Sequence, residues 1–203
     1  LAAHPLGLDA ILVRGLQCLI LGADRGVALL LGLRLGALGL GAGLVGLALE
    51  DRLLRVLTRA GLNHRGAPVF IQSFETANLR YLRTRTALPL VQLVDADDVK
   101  PDGTLSFVAP FDKPYDWVVA GRPGLFADLL TPAGLAEVAT YADGIGPWKP
   151  YLRSAKCIKV EAGACVDANG DGKVNDADRE LLAPTDLVQR AHALGLVVHP
   201  YTF

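Results

Sequence analysis

Pro68-Val-Phe-Ile-Gln-Ser-Phe-Glu75 is the stretch of this sequence that decides the fold. Its β-branched and aromatic residues are typical of a short buried strand, and a helix-forming segment follows it directly. The strand ends in polar groups, Gln72 and Ser73. Functional side chains lie at the carboxyl ends of the strands in α/β barrels. The stretch therefore predicts one strand of such a barrel, with Gln72 and Ser73 at its functional edge.

Strand and helix patterns alternate over the rest of residues 50–203. Residues 99–130 interrupt them with a Pro-, Gly- and Asp-rich segment that predicts a long loop. Alternating strands and helices predict a parallel sheet with helical crossovers, which is the α/β fold class. The sequence predicts helices over 50–60, 75–86, 131–141 and 184–195, and strands over 69–74, 90–94, 142–146 and 196–203.

Residues 1–49 are dominated by Leu, Gly and Ala, unlike the rest of the chain. Val27–Leu49 is a mostly apolar run, long enough for a membrane span, and its glycines have the small-xxx-small spacing of packed membrane helices. Arg34 lies inside this run, where a charge is unfavourable. A signal peptide fits poorly, because no basic start and no clean cleavage site are present. A GC-rich gene read out of frame gives the same composition, so a frame artefact and a real hydrophobic segment both stay open.

Length and charge limit the function classes. The chain has 203 residues and a net charge of −1, which gives no electrostatic reason to expect a nucleic-acid partner. A complete (β/α)8 barrel usually needs about 250 residues.

Cys157 and Cys165 are the cysteines of the globular part. A disulfide between them would suit an exported protein, and two unpaired buried thiols are the alternative.

The sharpest motif by spacing is the twelve-residue stretch 167–178. An EF-hand-type calcium loop supplies oxygen ligands from positions 1, 3, 5, 7, 9 and 12, with Gly at position 6. Gly172 occupies the turn, Val174 is the expected apolar anchor, and Asp replaces the usual Glu at position 12. The alternative is an acidic surface turn without metal. The predicted ligands of a structural calcium ion are Asp167, Asn169, Asp171, the Lys173 carbonyl, Asn175 and Asp178.

This loop resembles the calcium loop of dockerin repeats, which also have Asp at position 12. The resemblance implies an apolar helix after the loop, here Arg179-Glu-Leu-Leu182. Only one copy of the loop is present, so a complete two-loop dockerin is not predicted.

Four segments together resemble the C-terminal half of a glycerophosphodiester phosphodiesterase of the exported bacterial type. The resemblance covers about residues 50–203 and implies a (β/α)8 TIM barrel of which only about the last four β/α units are present. It also implies hydrolysis of glycerophosphodiesters to glycerol 3-phosphate and an alcohol, by paired histidines and a calcium or magnesium ion held by carboxylates. The segments are Val69-Phe-Ile-Gln-Ser-Phe74, Leu90-Val-Gln-Leu93, Tyr141-Ala-Asp-Gly-Ile-Gly-Pro147 and His192-Ala-Leu-Gly-Leu-Val-Val-His-Pro-Tyr-Thr-Phe203.

The catalytic groups of that family belong to the first half of its barrel. They lie in a His-Arg-Gly strand, a Pro-Glu-Asn-Thr turn, a Glu-x-Asp strand, a His-Asp pair and a Glu-x-Lys strand. His64-Arg-Gly-Ala-Pro68 imitates the first motif, but the strand follows at once, and Glu75 is the nearest acid, on the wrong side of it. We therefore interpret His64 as a solvated loop residue and identify no catalytic residue in this chain.

The resemblance also implies a set of pocket residues. His199 and His192 are not in this set, although imidazole suits proton transfer at neutral pH. His199 matches a packing position of the family, and His192 lies on an exposed helix face. For the pocket residues, ordinary barrel packing is the alternative. The predicted substrate-pocket residues are Gln72, Ser73, Phe74, Trp148 and Tyr201.

These observations predict two regions, a hydrophobic segment over 1–49 and the C-terminal half of a phosphodiesterase barrel over 50–203. The expected partner is a small-molecule glycerophosphodiester, with no nucleic acid, and membrane attachment and oligomeric state are left open. The family and the cysteine pair predict a periplasmic or extracellular location. The chain alone is expected to be inactive. The alternative function is a non-catalytic calcium-binding module, for which tethering to a membrane through residues 20–49 is left open.

Overall fold

The computed structural model describes residues 16–21, 28–33 and 42–201. Short 3-10 helices cover Phe126–Leu130, Lys149–Tyr151 and Asp176–Asp178. The other elements, in chain order, are β1 (Leu16–Leu21), β2 (Ala28–Leu33), α1 (Ala42–Arg59), β3 (Val69–Ser73), α2 (Thr76–Arg83), β4 (Leu90–Val94), β5 (Asp98–Val99), β6 (Leu105–Ser106), α3 (Tyr115–Val119), α4 (Pro132–Val138), β7 (Gly144–Pro147), β8 (Ala155–Cys157), β9 (Val160–Glu161), β10 (Ala164–Cys165), β11 (Arg179–Leu181), α5 (Leu187–Ala193) and β12 (Val197–Val198).

One six-stranded sheet organises the molecule, in the order β12-β7-β4-β3-β1-β2. Strands β3, β4, β7 and β12 run parallel to one another, and helices connect them. Strand β1 pairs antiparallel with both β2 and β3. The predicted α/β class with a parallel sheet is confirmed.

Apolar side chains between the sheet and its helices form the core. Burial of one such side chain stabilises the fold by about 1.5–3 kcal/mol. The close approach of β7 and β12 requires Gly144, because a Cβ there would lie 2.7 Å from the carbonyl oxygen of Val197. The fully buried members of the core include Ile71, Leu79, Leu82, Leu90, Leu135 and Ile145.

Several predicted boundaries and one predicted loop differ from the structure. Helix α2 ends at Arg83 rather than at residue 86, and strand β7 begins at Gly144. The last strand is short, and Tyr201 then forms an isolated parallel bridge with Trp148. Residues 99–130 are not a plain loop, because α3 and a 3-10 helix form there around the buried side chains of Trp117 and Phe126.

The hydrophobic segment over 1–49 is described only in part. Of the run Val27–Leu49, the described residues form strand β2 and the first turns of α1, and Val27 and residues 34–41 lie outside the described part. No helix among the described residues combines the length and apolarity needed to cross a bilayer.

Candidate functional site

The carboxyl edge of the sheet, where β3, β4, β7 and β12 end, collects the predicted pocket residues. Gln72 and Ser73 close β3, and Phe74 follows them. Trp148 follows β7, and Tyr201 lies beyond β12, bridged to Trp148. Parallel strands end at a common edge, so residues far apart in the sequence meet here.

Phe74, Trp148 and Tyr201 form an aromatic rim at this edge. The rings of Phe74 and Tyr201 meet edge to face, with centroids 6.0 Å apart. The Tyr201 hydroxyl donates to the carbonyl oxygen of Val94 at 3.0 Å, and the backbone N–H of Trp148 donates to the same oxygen at 2.9 Å. All three residues of the rim are partly exposed, so part of each is open to solvent.

Gln72 and Ser73 lie deeper than the aromatic rim. Gln72 is 7% exposed and Ser73 is fully buried. The Ser73 hydroxyl oxygen accepts a hydrogen bond from the backbone N–H of Glu75 at 3.0 Å. Ser73 therefore shapes the turn between β3 and α2, beneath the surface that a ligand could reach.

Gln92 is a site residue that the sequence analysis did not select. Its side chain is fully buried in β4 and donates to the carbonyl oxygens of Ser73, Phe74 and Leu93 at 3.0–3.2 Å. Its amide oxygen accepts from the Tyr141 hydroxyl at 3.0 Å. Gln92 thereby fixes the ends of β3 and β4 relative to each other. A polar residue inside the apolar run Leu90–Val94 was the available signal.

Asp95 follows β4 and faces the aromatic rim. Burial raises its pKa, while the hydrogen bond from the Ala96 N–H and the nearby Tyr201 hydroxyl act in the opposite direction. The backbone carbonyl of Asp95 accepts from the Tyr151 hydroxyl at 2.7 Å. Burial raises the pKa of Tyr201 and of Tyr151, so both phenols stay protonated and act as hydrogen-bond donors.

A second group of carboxylates lies beside the end of β3. Burial raises the pKa of Glu75 to about 7, and the charges of Asp116 and Glu50 add to this shift. One oxygen of Asp116 accepts from the Thr76 hydroxyl at 2.7 Å and the Ala77 N–H at 2.8 Å. Among the described residues, the other oxygen of Asp116 and Oε2 of Glu50 are buried without a hydrogen-bond partner. Glu75 therefore titrates near neutral pH.

The histidines lie as the sequence analysis expected. His64 is exposed in the turn before β3, at the opposite end of the strand from the carboxyl edge, and His192 is exposed on α5. The His199 ring packs edge to face on Phe70, with centroids 4.7 Å apart, and burial lowers its pKa. None of these three imidazoles belongs to the aromatic rim.

The predicted calcium loop has an ordered backbone in a lobe of residues 155–181, called here the loop lobe. The carboxylate of Asp178 is buried and accepts from the N–H groups of Ala168, Asn169 and Asn175, and these bonds hold its pKa below the usual value. Gly172 has φ +81°, as the turn requires. The other side-chain oxygens at ligand positions, those of Asp167, Asn169, Asp171 and Asn175, each accept from a backbone N–H within the loop.

Two features of the loop differ from the expectation. Val174 is 59% exposed and anchors nothing. Arg179–Leu181 forms strand β11, paired with β8, where the dockerin-like pattern predicted a helix.

In the described part of the chain, no three His, Cys, Asp or Glu side chains are close enough to hold a metal ion. The predicted ligand set depends on Asn oxygens and the Lys173 carbonyl as well, an all-oxygen set that suits calcium.

Cys157 and Cys165 are joined in a disulfide. The bond connects the end of β8 to β10, so it closes the hairpin β9–β10 next to the calcium loop. Of the two alternatives for these cysteines, the paired one is found.

Comparisons with known proteins define the family. The model of the glycerophosphoryl diester phosphodiesterase family matches residues 46–203. The chain therefore belongs to this family, whose fold is a TIM-barrel-like α/β fold. It is similar to the glycerophosphodiester phosphodiesterase GDPD6 of Arabidopsis thaliana, with 29% identity over 163 residues, which is 76% of this chain and 33% of the relative. The chain thus spans about a third of the length of that plant protein.

Proposed function

We propose that this chain supplies the C-terminal β/α units of a glycerophosphodiester phosphodiesterase, which releases glycerol 3-phosphate and an alcohol. The observation that carries this proposal is the family match over residues 46–203, which includes all four parallel strands. The aromatic rim at the carboxyl edge supports it, because TIM-barrel enzymes bind substrate at that face. The partial barrel, with about four of the eight units, belongs to the same proposal.

The aromatic rim contacts the alcohol part of the substrate in this proposal. Partly exposed aromatic faces bind apolar and cationic groups at low entropic cost. Gln92 holds the strand ends in register, and Ser73 shapes the turn beneath the rim. The paired histidines and the metal-binding carboxylates of the family come from sequence outside this chain, and a calcium or magnesium ion there would stabilise charge developing on the phosphate. The chain alone is inactive.

A hybrid enzyme tests this proposal. The first half of the barrel from a related phosphodiesterase is fused to residues 46–203, and release of glycerol 3-phosphate from glycerophosphocholine is followed with calcium or magnesium present. We expect no turnover by the chain alone and measurable turnover by the hybrid. A folded hybrid without turnover, or turnover by the chain alone, would contradict the proposal.

Rim variants of the hybrid test the assigned role. Trp148→Ala is expected to raise KM about ten-fold with a smaller change in kcat, because it removes a binding face and no reacting group. Tyr201→Phe removes the hydroxyl that donates to the carbonyl oxygen of Val94. Tyr115→Phe is the matched control, since Tyr115 is 59% exposed on α3. Equal effects of the two tyrosine variants would remove the rim from the site.

We also propose that loop 167–178 binds calcium as a structural ion. Three features support the fit: oxygen at each of the six ligand positions, a left-handed Gly172, and side-chain oxygens already ordered by backbone N–H groups. Oxygen-only ligation favours calcium over transition metals. The alternative function, a calcium-binding module without catalysis, rests on this loop.

Calorimetric titration with calcium, followed by thermal unfolding, tests the loop. We expect saturable binding and a higher Tm with calcium, since a ligand that binds only the folded state stabilises it. Asp167→Ala should abolish both effects. Asp176→Ala is the control, because Asp176 lies in the same loop between ligand positions. Binding that both variants retain, or both lose, would contradict the ligand assignment. An inactive hybrid with intact calcium binding would favour the non-catalytic module.

We further propose an exported location, periplasmic or extracellular. The disulfide between Cys157 and Cys165 supports it, because such bonds persist mainly in oxidising compartments. Fractionation of cells into culture medium, osmotic-shock fluid and cytoplasm, with detection of the native protein in each fraction, tests this location. Recovery in the cytoplasmic fraction alone would contradict it.

A further inference from the structure

A cleft of about 500 Å³ lies near the amino ends of β3 and β4, away from the carboxyl edge. This volume is within the range of small-molecule sites, about 300–1,000 Å³. Helix α1 forms one wall, and the segments that follow α1 and α2 form the others. The lining residues are Asp51, Leu54, Arg55, Thr58, Arg59, Asn63 and Arg85.

The lining of this cleft is positively charged. Three guanidinium groups and one carboxylate face it, which gives a lining charge of +2. The carboxylate, Asp51, accepts a hydrogen bond from the Tyr81 hydroxyl at 2.8 Å. Within the described residues, no carboxylate lies within ion-pair distance of Arg55, Arg59 or Arg85. The positive charge is therefore available to an anion from solution.

Two walls of the cleft are held in place before any ligand binds. The Arg85 guanidinium stacks 3.5 Å above the Tyr81 ring and donates from Nη1 to the Tyr81 carbonyl and the Thr84 hydroxyl, which leaves Nε and Nη2 for a ligand. Asn63 donates to the Thr58 hydroxyl at 3.0 Å and accepts from the Thr86 hydroxyl at 2.7 Å. Fixed donors lose little entropy when a ligand binds.

Favourable interactions with the C-terminal ends of helices account for the positions of Arg59 and Arg85, but not for that of Arg55. Arg59 lies in the last turn of α1, and Arg85 donates to a carbonyl near the end of α2, where cations are favourable. Arg55 lies one turn earlier on α1, where the helix dipole gives a cation little, and no described group accepts a hydrogen bond from it.

We propose that this cleft binds a phosphate-bearing anion, with Arg55, Arg59 and Arg85 as its ligands. A phosphate monoester carries about −1.5 to −2 at neutral pH, which complements the lining charge. The planar fork of a guanidinium also matches two phosphate oxygens. The cleft is larger than phosphate alone, so it has room for an organic part beside Leu54. Because the cleft lies away from the carboxyl edge, the ligand does not compete with a substrate there.

Titration of the full chain with inorganic phosphate at low salt, followed by NMR shifts and calorimetry, tests the proposal. We expect saturable binding that the double substitution Arg55→Ala with Arg59→Ala weakens about ten-fold or more. Alanine preserves α1, because it is the best helix former, and thermal unfolding checks the fold. Arg52→Ala is the matched control, since Arg52 is exposed on the same helix and does not line the cleft.

Vesicle binding distinguishes the two sources of such a phosphate group. Co-sedimentation with phosphatidylcholine vesicles that contain phosphatidic acid, lost in the double variant, would assign the cleft to a lipid headgroup. Phosphate binding without vesicle binding would assign it to a soluble phosphate monoester. Absence of saturable binding in both experiments would overturn the proposal. An equal loss with Arg52→Ala would also overturn it, because diffuse charge would then explain the binding.

Discussion

The parallel sheet and the loop lobe (residues 155–181) are stabilised by different forces. In the sheet, Ile71, Leu90 and Ile145 are fully buried, whereas Val174 and Leu181 of the lobe are 59% and 63% exposed. The lobe is held by a disulfide, by the pairing of β8 with β11 and by hydrogen bonds to Asp178. Apolar burial depends little on redox state, whereas the disulfide of the lobe depends on it. In our proposal that loop 167–178 binds calcium, the stability of the lobe depends on calcium as well. We therefore expect two units of unequal and separately controlled stability.

The largest expected effect on the free energy of unfolding comes from replacing a leucine of the sheet by alanine, compared with the same replacement in the loop lobe. Leu90→Ala removes a fully buried side chain from β4 and should lower the free energy of unfolding by about 2–5 kcal/mol. Leu181→Ala, on a strand of the lobe, should change it by about 0.5 kcal/mol or less. Urea unfolding followed by circular dichroism measures both. Similar values for the two variants would mean that Leu181 contributes to a core.

Removal of the disulfide tests whether the lobe unfolds separately. The double variant Cys157→Ala with Cys165→Ala opens a short covalent ring, and loop-closure entropy predicts a loss of about 2–3 kcal/mol. Hydrogen exchange should rise in residues 155–181 and stay unchanged in β3 and β4. Reduction of the native protein should reproduce this pattern. Faster exchange in the sheet as well would show that both regions unfold as one unit.

Glu75 lies beside the carboxyl edge of the sheet, and its titration predicts that the free energy of unfolding depends on pH. Its folded-state pKa of about 7 lies above the ordinary value, so its contribution to stability is complete at acidic pH and is lost as the pH rises toward 7. One pKa unit is worth about 1.4 kcal/mol, and partial solvent screening reduces the total, so we expect about 1–2 kcal/mol. Glu75→Gln should flatten this dependence in urea unfolding across the pH range. Glu180→Gln, exposed in the lobe, is the control.

The sequence was sufficient to predict the parts of the fold that depend on local pattern. The apolar runs in β3 and β4 are visible without tertiary information, and so are Gln72 and Ser73 at the end of β3. Trp148 and Tyr201 of the rim were predicted only through the family resemblance, not from local pattern. The pairing of Gln92 with Tyr141 joins residues 49 positions apart, and no local pattern specifies it. The pKa of Glu75 likewise depends on Asp116, which α3 brings to the start of α2. Helix α3 was missed because it depends on the tertiary burial of Trp117.

The smallest expected effect concerns Val174, where the sequence pattern and the structure disagree. An EF-hand-type loop predicts that this side chain is an apolar anchor, but it is 59% exposed. Val174→Ala should therefore change the free energy of unfolding by about 0.5 kcal/mol or less. The measurement is urea unfolding with and without calcium. A loss confined to the calcium-loaded protein would mean that the ion draws Val174 into a packed position. The lobe would then acquire a small apolar core on binding calcium, and the contrast with the sheet would hold only for the calcium-free protein.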